Sequence, residues 1–231
     1  MLTLLAVLLA AVATAAIVGS GALDDDRALT LAQGASFASI LATILGILLV
    51  TNEYRHGTIT TTFLVEPDRL RVLLAKLAAA AVAGLALAVA VSTVVAAVGL
   101  PWLSARGESL ELDGQAAEAV GRLLLAFVLY TLLGAAVGAI VQSQVGAIVT
   151  VFVWFLVVES LVGVLSGLLL GELGEPDPVT PYLPGSALGG VVGGEGSEFM
   201  LRGGPATLLA VGYVAALAAL GAVSMLRRDP S

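Results

Sequence analysis

Reactive side chains are scarce in this sequence, and that scarcity limits the chemistry open to it. Without cysteine there is no thiol nucleophile, disulfide or thiolate zinc site, and the single histidine, His56, cannot build a histidine-rich metal centre. An intramembrane metalloprotease would need the ligands of an H-E-x-x-H helix, and a serine hydrolase would need a base within the apolar segments; neither is present. The one lysine, Lys76 in Leu74-Ala75-Lys76-Leu77, is not beside the glycine-rich turn that a phosphate-binding loop requires, so the sequence offers no ATP site of its own. No catalytic residue and no metal ligand is assigned. The net charge of -7 also argues against a nucleic-acid partner.

The elements that must position the remaining polar groups are those of a membrane protein. Hydrophobic residues make up 59% of the chain and charged residues 12%, against about a quarter in soluble domains. A span needs about 20 mainly apolar residues, and six segments qualify or nearly do: 2–18, 31–50, 72–100, 119–141, 145–170 and 205–226. The expected fold is all-α, a single polytopic transmembrane domain with six transmembrane helices. Placing both termini in the cytoplasm puts Arg55, Arg69, Arg71, Lys76, Arg227 and Arg228 inside and Arg27, Arg106, Arg122 and Arg202 outside, in keeping with the positive-inside rule. The first segment also has a signal-peptide flavour in Ala13-Thr14-Ala15-Ala16 but lacks a basic leader.

The loops are unequal. Gln142-Ser143-Gln144 makes a tight turn between the fourth and fifth segments, whereas 171–204 is long and rich in Gly and Pro. The middle of that long loop, Tyr182 to Val192, is too apolar for a solvated linker and too short to span, which predicts a re-entrant or interfacial element. The loop over 51–71 is the sizeable polar stretch on the cytoplasmic side. There Gly57 breaks the outgoing helix, Thr58 can cap a short helix carrying Ile59 and Phe63 on one face, and Asp68 can cap the helix after Pro67. Lys76, on the lower turns of the third segment, is expected to snorkel toward the headgroups. Glu159 is the one acid inside an apolar segment, so it is a gating or substrate-path candidate, or else a hydrogen-bonded strut to a neighbouring helix. The small-residue faces Gly134-xxx-Gly138 and Gly163-xxx-Gly167-xxx-Gly171 permit close helix approach, expected within the chain.

A family resemblance enters at the polar loop. Glu53-Tyr54-Arg55-x-Gly57-Thr58, then Thr62, Pro67-x-Arg69 and Ala75-Lys76, place ten positions in order over 24 residues and resemble the loop of ABC-2 type transporter permeases. The likeness extends to the short turn at 142–144, to Val157-Val158-Glu159 late in the fifth segment and to Tyr182-Leu183-Pro184 before the sixth. Glu66 and Asp68, flanking Pro67, make this loop more acidic than the family pattern.

The resemblance implies a permease subunit in a bacterial cell membrane. It pairs with a second permease copy and with cytoplasmic ABC ATPase subunits that hold ATP and magnesium, so this chain carries no cofactor itself. It implies export of a hydrophobic or amphipathic substrate by alternating access. Glu53, Tyr54, Arg55, Gly57, Thr58, Pro67 and Arg69 are then the coupling residues, with Gly57 and Pro67 shaping turns and Glu53 and Arg55 offering charge contacts. Composition by itself also fits a non-transporting membrane scaffold, immunity or sensor protein.

Overall fold

The computed structural model describes residues 2–20, 38–59, 64, 66, 68–105, 114–169, 179–192, 201 and 203–227. Every element among them is helical. In chain order these are α1 (Leu2–Ser20), α2 (Ser39–Arg55), α3 (Arg69–Ala105), α4 (Gly114–Val141), α5 (Gln144–Phe152), a π-helical stretch (Val153–Val158), α6 (Glu159–Leu169), a 3-10 turn (Thr180–Tyr182), α7 (Pro184–Val192) and α8 (Gly203–Arg227). Helix α5, the π-helical stretch and α6 run on without a break and form one rod, Gln144–Leu169. Four helices, Arg69–Pro101, Ala116–Val141, Gln144–Leu169 and Gly203–Leu226, are long and apolar enough to cross a membrane. The chain is a multi-pass membrane protein.

Boundaries differ from the sequence expectation in instructive ways. Helix α2 continues through Arg55, so Thr51 to Arg55, read as loop, are its last turn. Of the expected second segment, 31–37 lies outside the described residues, as do Thr62 and Pro67 of the loop. Helix α3 is 37 residues long, about 55 Å, longer than the 29-residue apolar segment because Asp68 caps it early and its first turns are polar.

Helix α4 is the hub. The most hydrophobic stretch of α4 is 61% buried, against 6% for the equivalent stretch of the rod. The reason is its sequence, in which Gly134, Ala135, Ala136, Gly138 and Ala139 present almost no side chain. A Cβ on Gly134 would run into the Thr43 carbonyl of α2, and one on Gly46 of α2 would run into the Thr131 carbonyl of α4. The two backbones therefore touch, as small-residue faces allow. Around this crossing Phe127, Leu123 and Leu133 of α4 pack with Ile47 of α2, Leu87 and Val91 of α3, Leu188 and Val191 of α7, and Val214 of α8. A smaller apolar cluster, Val50, Leu73, Ala80, Ala135, Ala139 and Met225, closes the end where α2, α4 and α8 finish and α3 begins. Of the second small-residue face, Gly163 lies against Thr180 and Gly167 faces open space.

Candidate functional site

The polar loop is held at both edges by its own sequence. Helix α2 ends in a Schellman motif: Gly57, with φ +67°, donates its N–H to Tyr54 O at 3.4 Å, and Thr58 donates to Glu53 O at 3.0 Å. Only the left-handed conformation closes that turn, and glycine adopts it without the Cβ penalty. The Thr58 hydroxyl also turns back to Glu53 O at 3.5 Å, so Thr58 finishes α2. At the other edge Asp68 Oδ1 accepts the N–H groups of Leu70 at 3.1 Å and Arg71 at 3.3 Å, capping α3 as the sequence predicts. Glu66 pairs with Arg71 at 3.0 Å on the surface. Ile59 is buried, and Leu64 is fully in the open at 85% exposure.

Between these edges, charged side chains tie four helix ends together. Lys76 Nζ lies 2.6 Å from Glu53 Oε1 and its side chain is only 9% exposed. The expectation that Lys76 snorkels is thus corrected: Glu53, on the last turn of α2, neutralises the ammonium where it stands, so it has no need to reach for the headgroups. This joins α2 to α3. Arg69 donates to the Met225 carbonyl of α8 at 2.8 Å, a cation on the negative end of a helix. Arg55 donates to Gln144 Oε1 at 2.9 Å, reaching the first residue of α5. Ser143 caps α5 by accepting from Gly146 N. Ser224 of α8 donates to Ile140 O of α4 at 3.3 Å. Glu53, Tyr54, Arg55, Gly57, Thr58 and Arg69 therefore share one end of the bundle, with Arg55 and Thr58 exposed and Glu53, Tyr54 and Arg69 half-buried.

Glu159 lies 15 residues, about 22 Å, along the rod from Gln144, directly after the π-helical stretch. Its Oε1 accepts from Trp154 Nε1 at 2.9 Å and from the Gly185 N–H at 2.7 Å. Gly185 is in the first turn of α7, so the carboxylate meets the positive end of that helix, where backbone N–H groups lack partners of their own. A Cβ at Gly185 would collide with the same carboxylate, which is why Tyr182-Leu183-Pro184 is followed by glycine. Helix α7 forms in the apolar middle of the long loop, and it buries Ala187, Leu188 and Val191 against α4 and α8. Tyr213 of α8 donates its hydroxyl to Tyr182 O at 2.7 Å and fixes the approach to α7.

Sequence reasoning singled out Glu159 but missed Trp154, Tyr213 and the π-helical stretch. The five-residue spacing of Trp154 and Glu159 was the available signal, since π turns bring i and i+5 together. Beside this junction lies an apolar cavity of about 250 Å³, walled by α4, the rod, α7 and α8. Among the described residues no cluster of His, Asp and Glu could hold a metal ion. Comparison with family models, curated proteins and solved structures finds no match to this chain.

Proposed function

We propose that the chain is the transmembrane permease subunit of an ATP-binding cassette transporter, with six spans and both termini in the cytoplasm of a bacterial cell. A separate ATPase docks on the loop between α2 and α3 and supplies ATP hydrolysis, and a second permease copy completes the pathway. The substrate is hydrophobic or amphipathic and leaves the cell. One observation carries the reading: the polar segment that resembles a permease coupling loop is fastened to the ends of α2, α3, α5 and α8 through Glu53–Lys76, Arg55–Gln144 and Arg69–Met225. A push on a loose loop would dissipate. A push on this one is transmitted, because the pairs make the loop's edges and the helix ends move together.

In this reading the residues divide the work. Arg55, His56, Thr58 and Arg71 are exposed, on the surface that a partner would meet. Glu53 and Arg69 are engaged within the bundle and carry the displacement inward. The test is reconstitution in liposomes with a candidate ATPase subunit. Arg55→Glu is expected to weaken ATPase binding, whereas Arg69→Ala leaves binding in place but uncouples ATP turnover from transport. Unchanged binding and turnover in both variants would remove the coupling role and favour a non-transporting scaffold.

A further inference from the structure

The rod Gln144–Leu169 is fixed in its first half and nearly free in its second. Ser143 caps α5, Arg55 reaches Gln144, and Ala147 and Val151 are buried in the main apolar cluster. The second half, α6, buries Ser166 and leaves Leu161, Val164, Leu165, Leu168 and Leu169 in the open. Its attachments fall on one face: Glu159 meets the Gly185 N–H of α7, and Gly163, four residues on, lies against Thr180 just before α7. Between the two halves stand the six π-helical residues Val153–Val158, none of them buried.

A π turn holds one residue more than an α turn, so something must favour the wider ring. Here the same two residues close that ring twice. The Glu159 N–H donates to the Trp154 carbonyl, the five-residue bond of the π turn, and Trp154 Nε1 donates back to Glu159 Oε1 at 2.9 Å. In an unbroken α-helix residues five apart stand about 140° apart round the axis, so the side-chain bond belongs to the π form. With none of the six residues buried, packing contributes little to the choice. We propose that Trp154 and Glu159 form a register clasp. Closed, with Glu159 also on α7, it keeps the extra residue in the rod and sets the face that α6 turns to α7. Open, it lets the stretch relax to α-helix, and α6 turns as a unit by about 100°, the angle of one residue. Glu159 and Gly163 share the face that turns away, so both attachments are lost together and the change has two states rather than a continuum. Because one oxygen, Oε1, takes both donors, displacement of α7 and turning of α6 are a single coordinate. The movement leaves the core intact, since Ser166 is the one buried residue of the turning half.

The full-length chain carries the test by itself, so the outcome is independent of any ATPase and of the coupling reading. It has no native cysteine, which leaves spin labels to be placed on introduced ones. Two labelled pairs, Val164→Cys with Leu208→Cys and Leu169→Cys with Leu208→Cys, are measured in nanodiscs by pulsed electron spin resonance; all three positions are exposed. Val164 and Leu169 stand about 140° apart round α6, so a turn changes the two distances unequally, whereas a shift of the whole helix changes them together. A turn of about 100° carries a side-chain tip about 5.5 Å from the axis through about 8 Å. Glu159→Leu removes both bonds and is expected to move the distances to a new pair of values. Trp154→Phe keeps the ring and the Gly185 bond and is expected to populate old and new values side by side; a merely loosened helix would broaden the distances without a second value. Deleting Val157 takes the extra residue out of the π turn, so α6 keeps its observed face without the clasp, and Trp154→Phe in that background should leave the distances as they are. The two point variants decide the question even where the shortened chain fails to assemble. Unshifted distances in Glu159→Leu, or the same second value for Trp154→Phe with and without Val157, would overturn the proposal.

Discussion

At the scale of single residues, small changes at Gly57, Gly185 and Glu159 have separable consequences. Gly57 has open space around it, so Gly57→Ala adds no clash and isolates the backbone term of a left-handed residue. A loss of about 1 kcal/mol is expected in reversible unfolding in mixed micelles, the usual cost of a Cβ in that conformation. Gly185→Ala is a different experiment, because its Cβ displaces the Glu159 carboxylate from α7. Loss of a hydrogen bond to a charged acceptor is worth about 2 kcal/mol, and amide hydrogen exchange of residues 185–188 should accelerate accordingly. Glu159→Gln keeps an acceptor oxygen for the Gly185 N–H and should accelerate that exchange less than Glu159→Ala does. If Gln and Ala exchange alike, charge rather than the acceptor atom holds α7 in place.

At the scale of elements, the crossing of α2 and α4 rests on the absence of side chains. Gly46→Val and Gly134→Val each direct carbon at a carbonyl oxygen of the facing backbone, so the helices must separate along their length. Either change is expected to cost about 4 kcal/mol or to prevent assembly, whereas Gly167→Ala, with nothing near it, should be silent in the same assay. This crossing was half legible from sequence: Gly134-xxx-Gly138 marks a close face on α4, but a pattern on one helix does not name its partner, and Gly46 stands alone in α2. Termini of helices were read better where a residue has one dominant conformational use, as with Gly57 and Asp68. They were read poorly at Thr51 to Arg55, since polarity suggested loop where the helix runs on one more turn. Glu159 could be found because an acid in an apolar segment is conspicuous. Its partners could not, since the N–H groups of Gly185 and α7 are backbone and carry no residue signature.

At the scale of the whole molecule, the loop end of the bundle and the Glu159 junction farther along the rod are built on different principles. One is laced by side-chain pairs, and the other hangs on a short helix whose N-terminus meets a carboxylate. Breaking the lacing at Lys76 should show the asymmetry of buried pairs: Lys76→Met alone removes the cation that faces Glu53 from α3, and Glu53→Gln added to it should recover part of the loss. Because Glu53 is a third exposed, the single change is expected to cost about 1–2 kcal/mol, less than a fully buried pair. The same pair has an experimental use. Lys76 is the only lysine in the chain, so a lysine-specific endoprotease has one bond to cut, Lys76–Leu77, in the second turn of α3. Its cleavage rate is a single-site clock for the local unwinding of α3 around the Lys76–Glu53 pair, readable on a gel without label or tag.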